Sequence, residues 1–86
     1  MKAVSKIFFL PEAAEQFQQI NILGLREKIS HLVEGLTVDP SLGKPLQGPL
    51  TGHYVCEVGS YRIVYGMDSQ KKEVTIERIA PISRKG

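Results

Sequence analysis

The sequence predicts an α+β domain of order β-α-α-β-β-β, a helical hairpin packed on one face of a mostly antiparallel four-stranded sheet. Three observations carry this. Apolar residues recur at helical spacing between Pro11 and Leu36. From His53 to Ile79 they alternate with period two instead. Between these regions lies Asp39-Pro40-Ser41-Leu42-Gly43-Lys44-Pro45, a loop by composition. The chain has 86 residues, enough for one compact domain and no second one.

Each element has a local reason. Ala3 to Phe9 is β-prone and stops at Leu10-Pro11, so it reads as a first strand. Pro11 suits the first turn of a helix, where its missing N–H costs nothing, and Glu12 and Glu15 favour the positive end of the helix dipole. Ala13, Ala14, Phe17 and Ile20 then form an apolar stripe. Asn21 breaks it, and a second helix is expected from Ile22 or Leu25 to Leu36, with Leu25, Ile29, Leu32, Val33 and Leu36 inward. So short a link predicts an antiparallel pair of helices. In the following strand Tyr54, Cys56 and Val58 share one face, and His53, Val55 and Glu57 the other. Gly59-Ser60 suits a hairpin turn. Ile63, Tyr65 and Met67 then share a face opposite Arg62 and Val64. Asp68 to Lys72 turns the chain into a last strand, Glu73 to Ile79, with Val74 and Ile76 inward.

Composition narrows the function classes. One cysteine excludes an internal disulfide framework, and with two histidines it offers no metal-site spacing. Chemistry without metal or cofactor is therefore expected. Cys56 reads as a small buried hydrophobe. No apolar run approaches the roughly 18 residues of a membrane span, and Ile7 to Leu10 is too short for a signal segment. A soluble cytoplasmic protein is expected. Charge is divided unevenly. Residues 1–43 hold four cationic side chains (Lys2, Lys6, Arg26, Lys28) against five acidic ones, whereas residues 44–86 hold seven (Lys44, Arg62, Lys71, Lys72, Arg78, Arg84, Lys85) against four. The C-terminal half is the part suited to a polyanion.

Arg62 stands out because it interrupts an apolar, aromatic strand. A guanidinium without a partner is costly to bury, so it belongs on an open sheet face where it can meet an anion. Glu57 shares that face and reads either as a carboxylate base or as a cross-strand ion pair with Arg62. His53, on the same face, offers a proton donor near neutral pH or a plain polar surface. Lys44 offers a contact to a nucleic-acid backbone from the loop, or only a solvated lysine. Tyr61 borders the turn and reads as a base-stacking ring or, with Tyr54 and Tyr65, as core.

Gly59-Ser60-Tyr61-Arg62-Ile63-Val64-Tyr65, the order of elements and the loop from Asp39 to Gly52 together resemble the RelE/ParE superfamily of toxins over nearly the whole chain, closer to RelE. The resemblance implies the toxin of a type II toxin–antitoxin system. RelE-like members cleave mRNA in the ribosomal A site without metal and inhibit translation, whereas ParE-like members act on DNA gyrase. Arg62 matches the arginine of the family's YR-x-x-Y strand, and Arg84 the arginine after the last strand. Both would hold the scissile phosphate or its transition state. The two lysines of RelE fall on Val55 and Glu57 here, and no tyrosine follows Arg84 in this sequence. The resemblance implies a RelB-like antitoxin as partner, and Leu10, Phe17 and Leu25 would line a groove for it unless they are core. It leaves open a second outcome, a non-catalytic gyrase inhibitor or an inactive toxin homologue that still binds antitoxin.

Overall fold

The computed structural model describes residues 6–46, 52–68 and 70–82. Its elements are β1 (Lys6–Phe9), α1 (Pro11–Gln18), α2 (Leu25–Val38), β2 (Lys44–Pro45), β3 (His53–Val58), β4 (Tyr61–Asp68) and β5 (Glu73–Pro81). The sheet order is β1-β5-β4-β3-β2, with β1 parallel to β5 and every other pair antiparallel. The α+β class and order are those expected. The sheet has five strands instead of four, because Lys44 and Pro45 pair with Val55 and Tyr54. Composition hides this strand, since Pro45 breaks most ladders but sits here on an edge, where its missing N–H leaves no partner unpaired.

α1 opens with Pro11 and lies over β5, and α2 lies over β3. Their buried residues, Ala13, Ile20, Leu25, Ile29 and Leu36, meet Ile63, Tyr65, Val74, Ile76 and Ile79 from the sheet. Leu25 is 4% exposed and belongs to this core, not to a groove. Phe17 does line a groove between the helices, with Phe9, Ala14 and Val33, while Leu10 is exposed. Gly59 takes φ 59° in the β3–β4 turn, the left-handed first position of a two-residue hairpin. No helix among the described residues is long and apolar enough to cross a membrane.

Two details of the sheet set which side chains reach its open face. First, β1 stops pairing at Phe9, opposite Ile76, so beyond that point β5 has no strand on its β1 side among the described residues. The Gln16 side chain of α1 covers part of that edge, its Oε1 accepting from the Ile79 N–H at 2.7 Å. Second, the β4–β5 register shifts between Val64 and Tyr65. Tyr65 faces Ile76, but Val64 faces Arg78, so Glu77 is the extra residue of a bulge. The bulge reverses the alternation of β5. Val74 and Ile76 point to the helices, and after Glu77 it is Ile79 that does so.

Candidate functional site

The face of the sheet away from the helices carries the polar side chains. Register places them in rows across the strands. One row holds Ala80, Arg62 and Glu57, the next Arg78, Val64, Val55 and Lys44, and the next Thr75, Gly66 and His53. Without the bulge Arg78 would share the parity of Val74 and Ile76 and face the core, which an unpaired guanidinium does not tolerate. With it, Arg78 stands diagonally across from Arg62. Arg62, Val64, Arg78, Ala80 and Pro81 line a cleft of about 320 Å³. Two guanidinium groups at one small cleft, on an apolar floor, make a site for an anion with several oxygens.

Glu57 lies directly opposite Arg62, with Oε2 3.8 Å from Nη2. Both side chains are more than half exposed, so the pair is loose and screened, and it contributes little to stability. The arginine is thus held lightly and is free to bind another anion. His53 pairs with Glu77 instead, Nε2 donating to Oε2 at 3.0 Å. The bridge passes over Gly66. A Cβ there would stand 3.1 Å from Glu77 Oε2 and 3.4 Å from His53 Cδ2, so the missing side chain is what leaves room for it. His53 Nδ1 is buried and has no partner among the described residues.

Lys44 is exposed at the far end of the Arg78 row. Its loop is pinned from within the core. The Tyr65 hydroxyl donates to the Pro40 carbonyl and accepts from the Gly43 N–H, both at 2.9 Å. Burial pushes that hydroxyl up to about 12. Tyr54 stacks on Tyr65 at 5.4 Å between centroids, so both rings act as core. Cys56 is half-buried beside them, its thiol raised by burial, which suits an inert side chain better than a nucleophile. Asp39 closes the other end of this loop. Its carboxylate accepts from the Ser41 hydroxyl at 2.6 Å and from the Ser41 N–H, which lowers its pKa.

Of the six site residues expected from sequence, the structure brings Arg62, Glu57, His53 and Lys44 to one face. Tyr61 lies on the opposite face and packs against the core, away from the arginines. Arg84 falls outside the described residues. Arg78, Glu77 and Gly66 were not singled out. The signal for them was the apolar spacing itself, since Val74, Ile76 and Ile79 keep one parity only if a residue bulges out between them.

A family model described as the ParE toxin of type II toxin–antitoxin systems, parDE, matches residues 7–85, nearly the whole chain. The chain belongs to the ParE toxin family. No curated protein matches it. Solved structures of similar fold include the isolated Escherichia coli RelE toxin, with TM-score 0.79, 18% identity and coverage of 92% of this chain and 85% of that one. The YoeB dimer from Staphylococcus aureus gives TM-score 0.74 and 26% identity over 95% of this chain and 100% of that one. A RelBE toxin–antitoxin complex from Mycobacterium tuberculosis gives 0.69 and 25% over 88% and 95%. Membership makes this chain the toxin component of a type II toxin–antitoxin system.

Proposed function

We propose that this toxin is a metal-independent endoribonuclease that cleaves ribosome-bound mRNA in the A site, inhibits translation and is neutralised by a RelB-like antitoxin. The observation that supports this most is the placement of Arg62 and Arg78 around one cleft on the open sheet face. In such a cleavage the 2′-oxygen loses its proton and attacks phosphorus, the bond to the 5′-oxygen breaks as that oxygen takes a proton from water, and negative charge builds on the phosphoryl oxygens between those events. Two guanidinium groups at one cleft stabilise that charge without being deprotonated. Arg84, matched to the family's second arginine, is assigned the same task. Glu57, the carboxylate nearest Arg62, is assigned the proton of the 2′-hydroxyl, and His53 and Lys44 are assigned to binding RNA.

The test is cleavage of mRNA on programmed ribosomes by the purified chain, mapped by primer extension. Cuts in the A site are expected, and Arg62→Ala should reduce their rate by about 10²–10³-fold, the loss typical of a main transition-state donor. Glu57→Gln distinguishes a base, which loses activity, from a plain ion pair, which does not.

A second reading has its own support. The matching family model is the ParE one, and Val55 and Glu57 stand where RelE has lysines. Intact mRNA together with inhibited gyrase supercoiling would establish that reading in place of the first.

A further inference from the structure

The bulge in β5 puts two consecutive residues of opposite charge on one face of the sheet. Glu77 is the extra residue, and Arg78 follows it opposite Val64. Both reach the open face: Glu77 meets His53 over Gly66, and Arg78 lines the cleft with Arg62 and Val64. In a regular strand such neighbours point to opposite sides and do not meet. Here they can. A carboxylate beside a guanidinium on one surface is its nearest anion, and pairing would neutralise one of the two arginines of the cleft. Yet no ion pair joins Arg78 to a carboxylate among the described residues, whereas Arg62 has Glu57 at 3.8 Å. Glu77 is engaged elsewhere, its Oε2 lying 3.0 Å from His53 Nε2.

We infer that His53 is a positioning residue for the anion site: it draws the Glu77 carboxylate away from Arg78 and leaves that guanidinium open to a phosphate. This role rests on the reading that Arg62 and Arg78 together bind phosphoryl oxygens. The hydrogen bonding of the ring agrees with it. A carboxylate only accepts, so a hydrogen sits on Nε2. Nδ1 is buried without a partner and is the bare nitrogen, because an N–H there would go unpaired. Neither nitrogen is left to meet a phosphate, so His53 acts on the anion through Glu77. Gly66 completes the arrangement. It pairs with His53 on one side and Thr75 on the other, directly beneath the bridge from β5 to β3. A Cβ there would stand 3.1 Å from Glu77 Oε2, in the path of the bridge.

The experiment titrates inorganic phosphate into the wild-type chain, His53→Ala, Glu77→Gln and the double variant. The Nε–Hε signals of Arg62 and Arg78 are followed by NMR, and the amide signals of the core report that each variant is folded. In the wild type both arginine signals should move with phosphate. His53→Ala should weaken phosphate binding by about two- to fivefold, the factor by which an exposed ion pair competes. It should also shift the Arg78 signal before any phosphate is added, and leave that of Arg62 in place. Gly66→Ala, which obstructs the bridge and keeps the ring, should act in the same direction. Glu77→Gln should bind phosphate no less tightly than wild type. The double variant should recover most of the His53→Ala loss, since no carboxylate then remains beside Arg78. An unchanged affinity in His53→Ala would overturn this role. So would a loss that Glu77→Gln does not recover, which is the mark of a direct contact or of a support for the fold. No phosphate binding by the wild type would overturn the anion clamp and this role with it. A-site cleavage by the same four chains is read separately. No cleavage by the wild type, with the phosphate cycle as expected, would sink the endoribonuclease reading and leave the role of His53 intact.

Discussion

Tyr65 links the core to the loop that carries Lys44. Its hydroxyl serves one donor and one acceptor of the main chain, and Tyr65→Phe leaves the Gly43 N–H and the Pro40 C=O without their partner. A loss of about 1–3 kcal/mol is expected, measured by urea unfolding. The same group sets an alkaline limit. Its folded pKa is pushed up to about 12, while an unfolded tyrosine ionises near 10, so the folded state keeps the proton longer. The associated stability is complete below about pH 10 and is lost as pH rises from about 10 to 12. The difference in stability between wild type and Tyr65→Phe should therefore shrink across that window, and a constant difference would contradict the assignment. Gly43 is constrained by the same contact. A Cβ there would lie 2.8 Å from the Tyr65 hydroxyl and 2.9 Å from the Val55 carbonyl, a backbone atom that cannot step aside. Gly43→Ala should cost about 1–3 kcal/mol. Gly66→Ala, which meets only the ends of the Glu77 and His53 side chains, should cost less and should disturb their bridge instead of the fold.

At the scale of elements, most of the architecture was legible. Pro11, the helical stripes and the Gly59-Ser60 turn each encode their element through local chemistry, and the observed helices and hairpin follow them. What escaped depends on pairing. β2 exists only because β3 offers it an edge, and two residues leave no periodicity to read. The β5 bulge is likewise a property of two strands together. Its trace in the sequence is the change of apolar parity between Ile76 and Ile79, which strict alternation from Val74 does not reproduce. Arg62 was legible because a cation in an apolar strand admits one reading. Glu57 and His53 were placed on this face by alternation, and the pairing of Glu57 with Arg62 was legible with them; Lys44 read only as a loop residue, and the partner of His53, Glu77 across a glycine, could not be read. Tyr61 packs against the core, the alternative to stacking that the sequence offered, because neighbours in a strand face opposite ways and Arg62 takes the open face.

The molecule as a whole divides its labour between two faces of one sheet. One face is sealed by α1 and α2 and supplies stability, and the other carries cations on a small apolar floor. That division makes a clean prediction for mutants. Substitutions of Arg62 or Arg78 should leave the unfolding midpoint nearly unchanged, because exposed side chains away from the core contribute little to folding. These two arginines are proposed to act as one anion clamp, and the rate of A-site mRNA cleavage by wild type, Arg62→Ala, Arg78→Ala and the double variant decides whether they do. Each single change should cost about 10²–10³-fold, and the double change little more than either alone, since residues that act as a unit are not additive. Full activity in Arg78→Ala, with the variant folded as the wild type, would contradict the clamp and return the chemistry to Arg62 and residues elsewhere.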